Sequence, residues 1–208
     1  MNGDKLPVVV GITGGSGAMI ARQVIALLLD LGYPVIGTAT KAGRRVWVEE
    51  LGSDLSAALR QWAAPMSDRG SLAWHSINDV GAPIASGSVE TQGMIVVPAS
   101  MGTIAGIAAG IEDNLVLRAA GVTLKEWRPL VLVPRESPLS AIHLENLLRL
   151  ARLGVRVIPP MPAFYLRPVT MADVVNQLVP RLLLALGITE ARSRLVAYAP
   201  EPPRSDRA

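Results

Sequence analysis

The sequence predicts a single α/β domain built as three layers, with a parallel sheet between two layers of helices. Short apolar runs of the kind found in buried strands alternate along the chain with helix-length segments, which is the pattern of doubly wound proteins. Half of the 208 residues are apolar, so one domain can bury a sizeable core. Aromatic residues make up only 4%, so aliphatic side chains must fill that core.

The predicted strands are short, mainly apolar segments. In chain order they are Pro7–Ile12, Val35–Ala39, Met94–Val97, Pro129–Pro134 and Val155–Ile158. Uninterrupted apolar runs are typical of strands buried on both faces, which favours a parallel sheet.

The predicted helices repeat apolar residues at helical spacing. In chain order they are the segment after Gly17, about Ala42–Leu51, a helix containing Gly102, Gly106 and Gly110, about Asp113–Trp127, Ser140–Leu153 and a last helix opening at Thr170. Thr170 and Asp173 have the spacing of a capping box, and Pro180 is predicted to kink the last helix. Turn signals dominate residues 53–93, which are predicted as a mixed region. Residues 1–190 are predicted as the domain and 191–208 as a tail, disordered from Pro200 onward.

Charge and composition exclude several classes of function. Twenty basic against seventeen acidic residues give a net charge of +3, and the densest basic cluster is Arg44 with Arg45, so no nucleic-acid interface is predicted. The chain has no cysteine, and His75 and His143 lack ligand spacing, so no disulfide and no metal site is predicted.

No membrane span is predicted either. Residues 94–111 carry no charge, but Pro98, Ser100 and Thr103 divide them into a strand, a turn and a helix. The glycine spacing in that helix is interpreted as tight packing inside the fold or between subunits. The first residues lack the pattern of a signal peptide, so a cytoplasmic protein is expected.

Three strand ends carry groups suited to binding an anion. The turn from Gly11 to Ala18 is rich in glycine and opens a helix, where backbone N–H groups attract phosphate. The predicted strand Met94–Val97 is followed by Ser100–Thr103, and the predicted strand Pro129–Pro134 is followed directly by Arg135 and Glu136. Ligands of α/β sheets bind at the carboxyl ends of strands. The first turn matches neither the dinucleotide fingerprint nor a Walker A loop, so a mononucleotide phosphate such as that of FMN is predicted.

Several segments, in this order, resemble the flavin prenyltransferases over about residues 6–188. They are Gly14-Gly15-Ser16-Gly17-Ala18, Ser86-Gly87-Ser88, Pro98-Ala99-Ser100-Met101, Asp113-Asn114-Leu115, Arg118-Ala119-Ala120, Leu124-Lys125-Glu126, Pro134-Arg135-Glu136-Ser137-Pro138-Leu139 and Pro159-Pro160-Met161-Pro162-Ala163-Phe164-Tyr165. The resemblance implies a flavodoxin-like, Rossmann-like fold and a homododecamer that binds FMN between subunits. It also implies transfer of a dimethylallyl group from dimethylallyl monophosphate to N5 and C6 of reduced FMN, for use by a UbiD-type decarboxylase.

The resemblance also implies roles for individual residues. The FMN-binding positions are Gly14, Gly15, Ser16, Thr40, Ser100, Met101, Gly102, Thr103 and Arg135. The prenyl-phosphate positions are Arg118, Lys125, Glu136, Tyr165 and Arg181, and the catalytic positions are Glu136, Lys125, Glu50 and Ser16. The chain departs from the family where it has Gly102 in place of a basic residue, Gly121 in place of aspartate and Leu166 in place of histidine.

The residue types suit this chemistry. Breaking an allylic carbon–oxygen bond leaves a phosphate anion and a cation-like prenyl fragment, so cationic side chains stabilise the first and aromatic faces the second. Glu136 is a candidate proton shuttle that assists departure of the phosphate. The chain has no Asp-rich motif for Mg²⁺, which favours a monophosphate donor without a metal.

Two alternatives stay open at this point. One is an FMN-dependent cysteine-type decarboxylase with His75 as base, because Pro98-Ala99-Ser100 and Asp113-Asn114-Leu115 resemble those enzymes too. The other is a flavin carrier without catalytic activity.

Overall fold

The centre of the fold is a sheet of parallel strands. The computed structural model describes residues 5–63 and 70–196, and within these ranges it contains a six-stranded sheet in which neighbouring strands all pair in parallel. The sheet order is β3-β2-β1-β4-β5-β6. The strands are β1 (Val8–Ile12), β2 (Val35–Ala39), β3 (Leu72–His75), β4 (Gly93–Ala99), β5 (Leu130–Pro134) and β6 (Arg156–Val157).

Helices follow most of these strands. They are α1 (Ala18–Asp30), α2 (Lys41–Leu51), α3 (Leu55–Ala63), α4 (Met101–Ala109), α5 (Leu115–Lys125), α6 (Ala141–Arg152) and α7 (Met171–Ala185). Short 3₁₀ segments lie at Pro83–Ala85, Phe164–Leu166 and Thr189–Arg194. The predicted α/β fold with a parallel sheet is therefore confirmed.

The core forms two layers, one on each face of the sheet. Side chains of β1 alternate between them: Val8, Val10 and Ile12 pack with α1 and α7, whereas Val9 packs with α4 and α5. All five residues of β1 are buried, as expected for a central strand of a sheet covered on both faces. Consequently, α5 and α7 lie on opposite faces of the sheet.

Most element boundaries agree with the sequence predictions. The strand predicted at Met94–Val97 is longer, and the mixed region contains α3 and the edge strand β3, which were not assigned. Helix α7 begins with the predicted capping box of Thr170 and Asp173 and runs through Pro180 without interruption. The disorder predicted from Pro200 falls outside the described residues.

The glycine-rich helix is α4. A Cβ at Gly106 would lie 3.1 Å from Leu117 of α5, whereas at Gly102 and Gly110 it would meet nothing within 4 Å. The close packing predicted from the glycine spacing therefore holds at one of the three positions within the chain. Across residues 5–63 and 70–196, no helix has the length and apolar character needed to cross a membrane.

Candidate functional site

The candidate site lies at the carboxyl edge of the sheet, where β1 and β4 are neighbours. From β1 the chain continues outward to β2, whereas from β4 it continues in the opposite direction to β5. Such a reversal opens a crevice between the two strand ends, which is where doubly wound proteins bind ligands. The glycine turn after β1 and the Ser100 turn after β4 flank this crevice.

A buried threonine joins the two turns. The Thr13 hydroxyl donates a hydrogen bond to the carbonyl of Pro98 (2.8 Å) and accepts one from the N–H of Ser100 (2.7 Å). Thr13 is fully buried, so this hydroxyl fixes one turn against the other. The sequence predictions did not include Thr13, although a threonine inside a glycine turn is a polar group that needs partners once it is buried.

The glycine turn also lies close to the start of α2. A Cβ at Gly14 would come within 2.8 Å of the Ala42 Cβ, which is closer than real contacts allow. Thr40 caps α2 by accepting the N–H of Gly43 (3.0 Å), and its own N–H donates to the carbonyl of Ile12 (2.9 Å). The starts of α1, α2 and α4 therefore meet at one edge of the sheet.

Helix α1 begins against a carboxylate of the chain itself. Glu50, at the end of α2, accepts hydrogen bonds from the N–H groups of Gly17 (3.1 Å) and Ala18 (2.7 Å). A carboxylate is favoured there because a helix start carries partial positive charge. The N–H groups that the sequence suggested for a ligand phosphate thus already have an anionic partner.

Helix α4 begins differently. Ser100 caps it by accepting the N–H of Thr103 (3.3 Å), and the two hydroxyl oxygens are 2.9 Å apart. Gly102 is exposed, and the space above it is open. This helix start can therefore receive an external anion together with two hydroxyl groups.

A cleft of about 520 Å³ extends from the start of α1 toward α7. Its polar lining comes from Ser16, Glu50 and Arg135, all of them predicted site residues. The remaining lining is mainly apolar and comes from α1, α2, α7 and a proline-rich loop: Met19, Ile20, Leu51, Pro160, Pro162, Met171, Val174, Val175 and Leu178. The sequence showed this side of α7 only as an apolar face and did not indicate that part of it borders a cleft.

Tyr165 and Arg181 form a pair near this cleft. The Nη2 atom of Arg181 donates to the Tyr165 hydroxyl at 3.3 Å. Arg181 follows Val174 by seven residues, two turns of α7, so it lies on the helix face that lines the cleft. Tyr165 is 56% exposed and its neighbour Phe164 is 78% exposed, which leaves aromatic surface available to a ligand or another subunit.

Arg118 and Lys125 lie on the other face of the sheet, on α5. The Arg118 Nε donates to the carbonyl of Ala85 (3.0 Å), and its Nη1 pairs with Glu112. Lys125 pairs with Glu126, and this contact lowers the pKa of the Glu126 carboxyl. One chain therefore does not bring these two cations to the cleft that Arg135 lines.

Glu136 follows β5 and is exposed. Its carboxylate accepts the N–H of Ser137 at 3.1 Å, so it has a local partner but remains accessible. The catalytic role predicted for Glu136 stays a prediction, as do the individual roles of the other site residues.

The histidines lie in local contacts. His75, the last residue of β3, has its Nδ1 atom 3.3 Å from a carboxylate oxygen of Asp79. At the start of α6, His143 accepts the N–H of Ser140 (3.3 Å). Among the residues that the structure describes, no group of three or more His, Cys, Asp or Glu side chains is arranged to hold a metal ion.

Comparison with known proteins gives a consistent result. Residues 1–182 match the model of the flavoprotein family. A curated relative, the flavin prenyltransferase UbiX of Halalkalibacterium halodurans, is 45% identical over 182 residues, which is 86% of this chain and 87% of that protein.

Two solved structures are similar over most of the chain. AnUbiX in complex with FMN and dimethylallyl pyrophosphate has a TM-score of 0.86 and 36% identity, covering 95% of this chain and all of that one. A dodecameric FMN-dependent UbiX-like decarboxylase from Escherichia coli O157:H7 has a TM-score of 0.80 and 42% identity, covering 88% and 95%. An FMN-dependent cysteine decarboxylase is 17% identical and shares the fold alone.

Proposed function

Since the chain belongs to the flavoprotein family and, within it, to the flavin prenyltransferases, we propose that it joins a dimethylallyl group from dimethylallyl monophosphate to N5 and C6 of reduced FMN. The product, prenylated FMN, would serve a partner decarboxylase of the UbiD type. The observation that supports this most directly is the cleft beside β1. It has a polar end and a long apolar wall, which matches a short hydrocarbon chain joined to a phosphate.

The residues at the edge of the sheet fit FMN. The absence of a side chain at Gly14 lets the turn after β1 approach Ala42 closely, and Gly102 leaves open space at the start of α4. Ser100 and Thr103 add hydroxyl groups beside the first N–H groups of that helix, so the phosphate of FMN is best matched to α4. Ser16 and Arg135 line the cleft next to this position and would contact the rest of the cofactor.

Reduced FMN, when bound, supplies the nucleophilic N5 and C6 atoms that accept the prenyl group. The chain's own task is to bind the donor, exclude water and stabilise the phosphate as the allylic carbon–oxygen bond breaks. Arg135, Arg181 and the α5 cations suit the phosphate, because charge-assisted hydrogen bonds strengthen as negative charge develops on its oxygen atoms. Glu136 is accessible and can donate a proton to the departing phosphate. Glu50 lines the same cleft as Ser16 and would stabilise the prenyl fragment as it becomes cation-like.

We propose that several subunits complete the site. Arg118 and Lys125 lie on the face of the sheet opposite Arg181, so they can reach a shared phosphate only if neighbouring chains contribute them. The surface of α6 supports assembly. Leu150 is the only buried residue of this helix, which lies wholly within the described residues, whereas Ile142 is 68% exposed. A dodecamer is proposed because a similar chain forms one. The charged substrates do not cross a bilayer unaided, so we place the reaction in the cytoplasm.

The cysteine-type decarboxylase is less well supported. Proteins of that activity share only the fold, and His75 lies on the edge strand β3, two strands from β1. If His75 were the base, His75→Asn would abolish activity, whereas prenyl transfer should continue unchanged.

The decisive experiment uses the purified full chain, reduced FMN and either dimethylallyl monophosphate or the diphosphate, without oxygen. Mass spectrometry of the released flavin should show the gain of one C₅H₈ unit with the monophosphate. Bound flavin of unchanged mass with both donors would contradict the proposal and favour a carrier. Gain of mass with the diphosphate alone would correct the donor.

A further inference from the structure

We propose that Glu112 is a positioning residue for the phosphate of the prenyl donor. Its carboxylate holds Arg118 in the orientation in which the guanidinium binds that phosphate. This inference rests on the proposed function, because it assigns a role to a residue that acts through Arg118.

Two acceptors fix the Arg118 guanidinium from different directions. Its Nε donates to the carbonyl of Ala85 at 3.0 Å, and its Nη1 donates to the carboxylate of Glu112. A guanidinium is planar and presents its N–H groups in a rigid fork, so two fixed contacts determine where the remaining N–H groups point. The Arg118 side chain is 37% exposed, so part of it is accessible to a ligand.

The Glu112 carboxylate also lies close to α5. It lies against the backbone of α5 at Gly121, where a Cβ would come within 2.1 Å of its Oε1 and 3.0 Å of its Cδ. The carboxylate thus occupies space that any side chain at position 121 would need. Gly121 is one turn from Arg118 on the same helix, so the glycine under the carboxylate and the arginine that pairs with it belong to one rigid element.

An exposed ion pair on α2 differs from the pair of Glu112 and Arg118. Arg45 and Glu49 on α2 form an ion pair in which the two side chains are 81% and 56% exposed. Exposed pairs of that kind contribute little, because both side chains must lose freedom to form them. In the pair of Glu112 and Arg118, the arginine has a second acceptor, the Ala85 carbonyl, and the carboxylate lies over Gly121. Proteins preorganise binding groups through such supporting contacts.

The contact between Glu112 and Arg118 has two alternative effects on donor binding, competition and positioning, and an experiment can distinguish them. A carboxylate beside Arg118 could compete with the phosphate, in which case its removal would tighten donor binding. If it positions the guanidinium, its removal weakens donor binding because the arginine regains its freedom before each encounter.

The test measures the steady-state kinetics of prenyl transfer in the assembled full-length protein. Glu112→Ala should raise the KM for dimethylallyl monophosphate about tenfold, the scale of one charge-assisted hydrogen bond, with the Kd of FMN unchanged. Glu112→Gln retains an acceptor oxygen over Gly121 and should raise KM only about threefold. Glu49→Ala, which removes an exposed carboxylate from the pair on α2, is the control and should change neither quantity.

Gly121→Ala separates positioning from structural damage. The added methyl group must displace the Glu112 carboxylate, so KM should rise as in Glu112→Ala. Alanine is also a better helix former than glycine, so the Tm should stay equal or increase. In the Arg118→Ala background, Glu112→Ala should have no further effect on KM, because the group it positions is gone.

The possible failures are distinguishable. A KM that falls or stays constant in Glu112→Ala, while Arg118→Ala raises it, would overturn the inference and leave the proposed function intact. A normal KM in Arg118→Ala would overturn the role of Arg118 and the inference with it. Absence of prenylated flavin from the unaltered protein would reject the proposed function itself.

Discussion

Helices α1 and α4 begin side by side at the same edge of the sheet, yet their first turns differ. At α1 the N–H groups of Gly17 and Ala18 donate to the carboxylate of Glu50. At α4 the cap is the neutral hydroxyl of Ser100, and the space above Gly102 is open. Both helix starts favour negative charge, but the chain supplies that charge only at α1.

We propose that this difference separates two tasks within one crevice. The open start of α4 can receive the phosphate of a cofactor, whereas the closed start of α1 holds a fixed carboxylate next to the cleft. Glu50 is therefore better placed for the reacting part of the substrate than for phosphate binding. The following changes test that division, from the largest expected effect to the smallest.

Removing the carboxylate at α1 should affect chemistry rather than cofactor affinity. Glu50→Ala should reduce kcat about a hundredfold, the usual scale for loss of a charged catalytic group, with the Kd of FMN nearly unchanged. Single-turnover kinetics and a fluorescence titration with FMN measure the two quantities. Glu49→Ala is the matched control. Tighter FMN binding in Glu50→Ala would mean that α1 is a phosphate site blocked by the carboxylate, and the division would be wrong.

Removing the Thr13 hydroxyl, which joins the glycine turn to the Ser100 turn, should destabilise the protein. Thr13→Val keeps the shape of the buried side chain but leaves the partly buried N–H of Ser100 without its acceptor, so the free energy of unfolding should fall by about 2 kcal/mol. Urea unfolding at fixed protein concentration measures this. Thr123→Val is the control, since the Thr123 hydroxyl only donates to the Ala119 carbonyl within α5. Equal losses in the two variants would argue against a special role for Thr13.

Charge placed at the open helix start should change cofactor affinity. Gly102→Glu should weaken FMN binding about tenfold through repulsion of the phosphate, and Gly102→Lys should strengthen it a few-fold. The space above Gly102 is empty, so Gly102→Ala serves as the steric control. The difference between the Glu and Lys variants should shrink as salt is added. Identical Kd values for all three variants would place the phosphate elsewhere.

A third helix start, that of α7, gives the smallest expected effect. Asp173 accepts the N–H groups of Thr170 (2.7 Å) and Val169 (3.0 Å), and these hydrogen bonds lower its pKa below the ordinary value of 3.8. The contribution of Asp173 to stability is therefore complete above pH 4 and is lost as the pH falls through the lowered pKa. Melting temperatures between pH 5 and 2.5 should decline less steeply in Asp173→Asn. Identical slopes would show that this cap does not couple folding to pH.

Much of this architecture could be predicted from the sequence. Five of the six strands in the described residues overlap the predicted strand segments, and the glycine turn, Ser100 and Arg135 all follow strand ends. Because carboxyl ends of parallel strands share one edge, these residues were expected to gather there. Strand β3 was missed because it is a four-residue edge strand in a segment dominated by turn signals.

Other features depend on three-dimensional packing that no pattern encodes. The apolar positions of α7 have the same spacing whether they cover the sheet or line a cleft, so Val174 and Leu178 were interpreted only as a packing face. The contact of Glu50 with α1 joins residues about thirty positions apart, and the resemblance placed Glu50 near the substrate without indicating this contact. The separation of Arg118 from Arg181 follows from the two faces of the sheet.

The sparse burial of α6 has a thermodynamic consequence. Only Leu150 of the twelve residues of this helix is buried within the chain, so the proposed assembly would add much of the burial of α6. Folding of that region is then linked to association, and the melting temperature should increase with protein concentration by mass action. Dilution alone should therefore inactivate the protein, at a threshold set by the affinity of the subunits for one another.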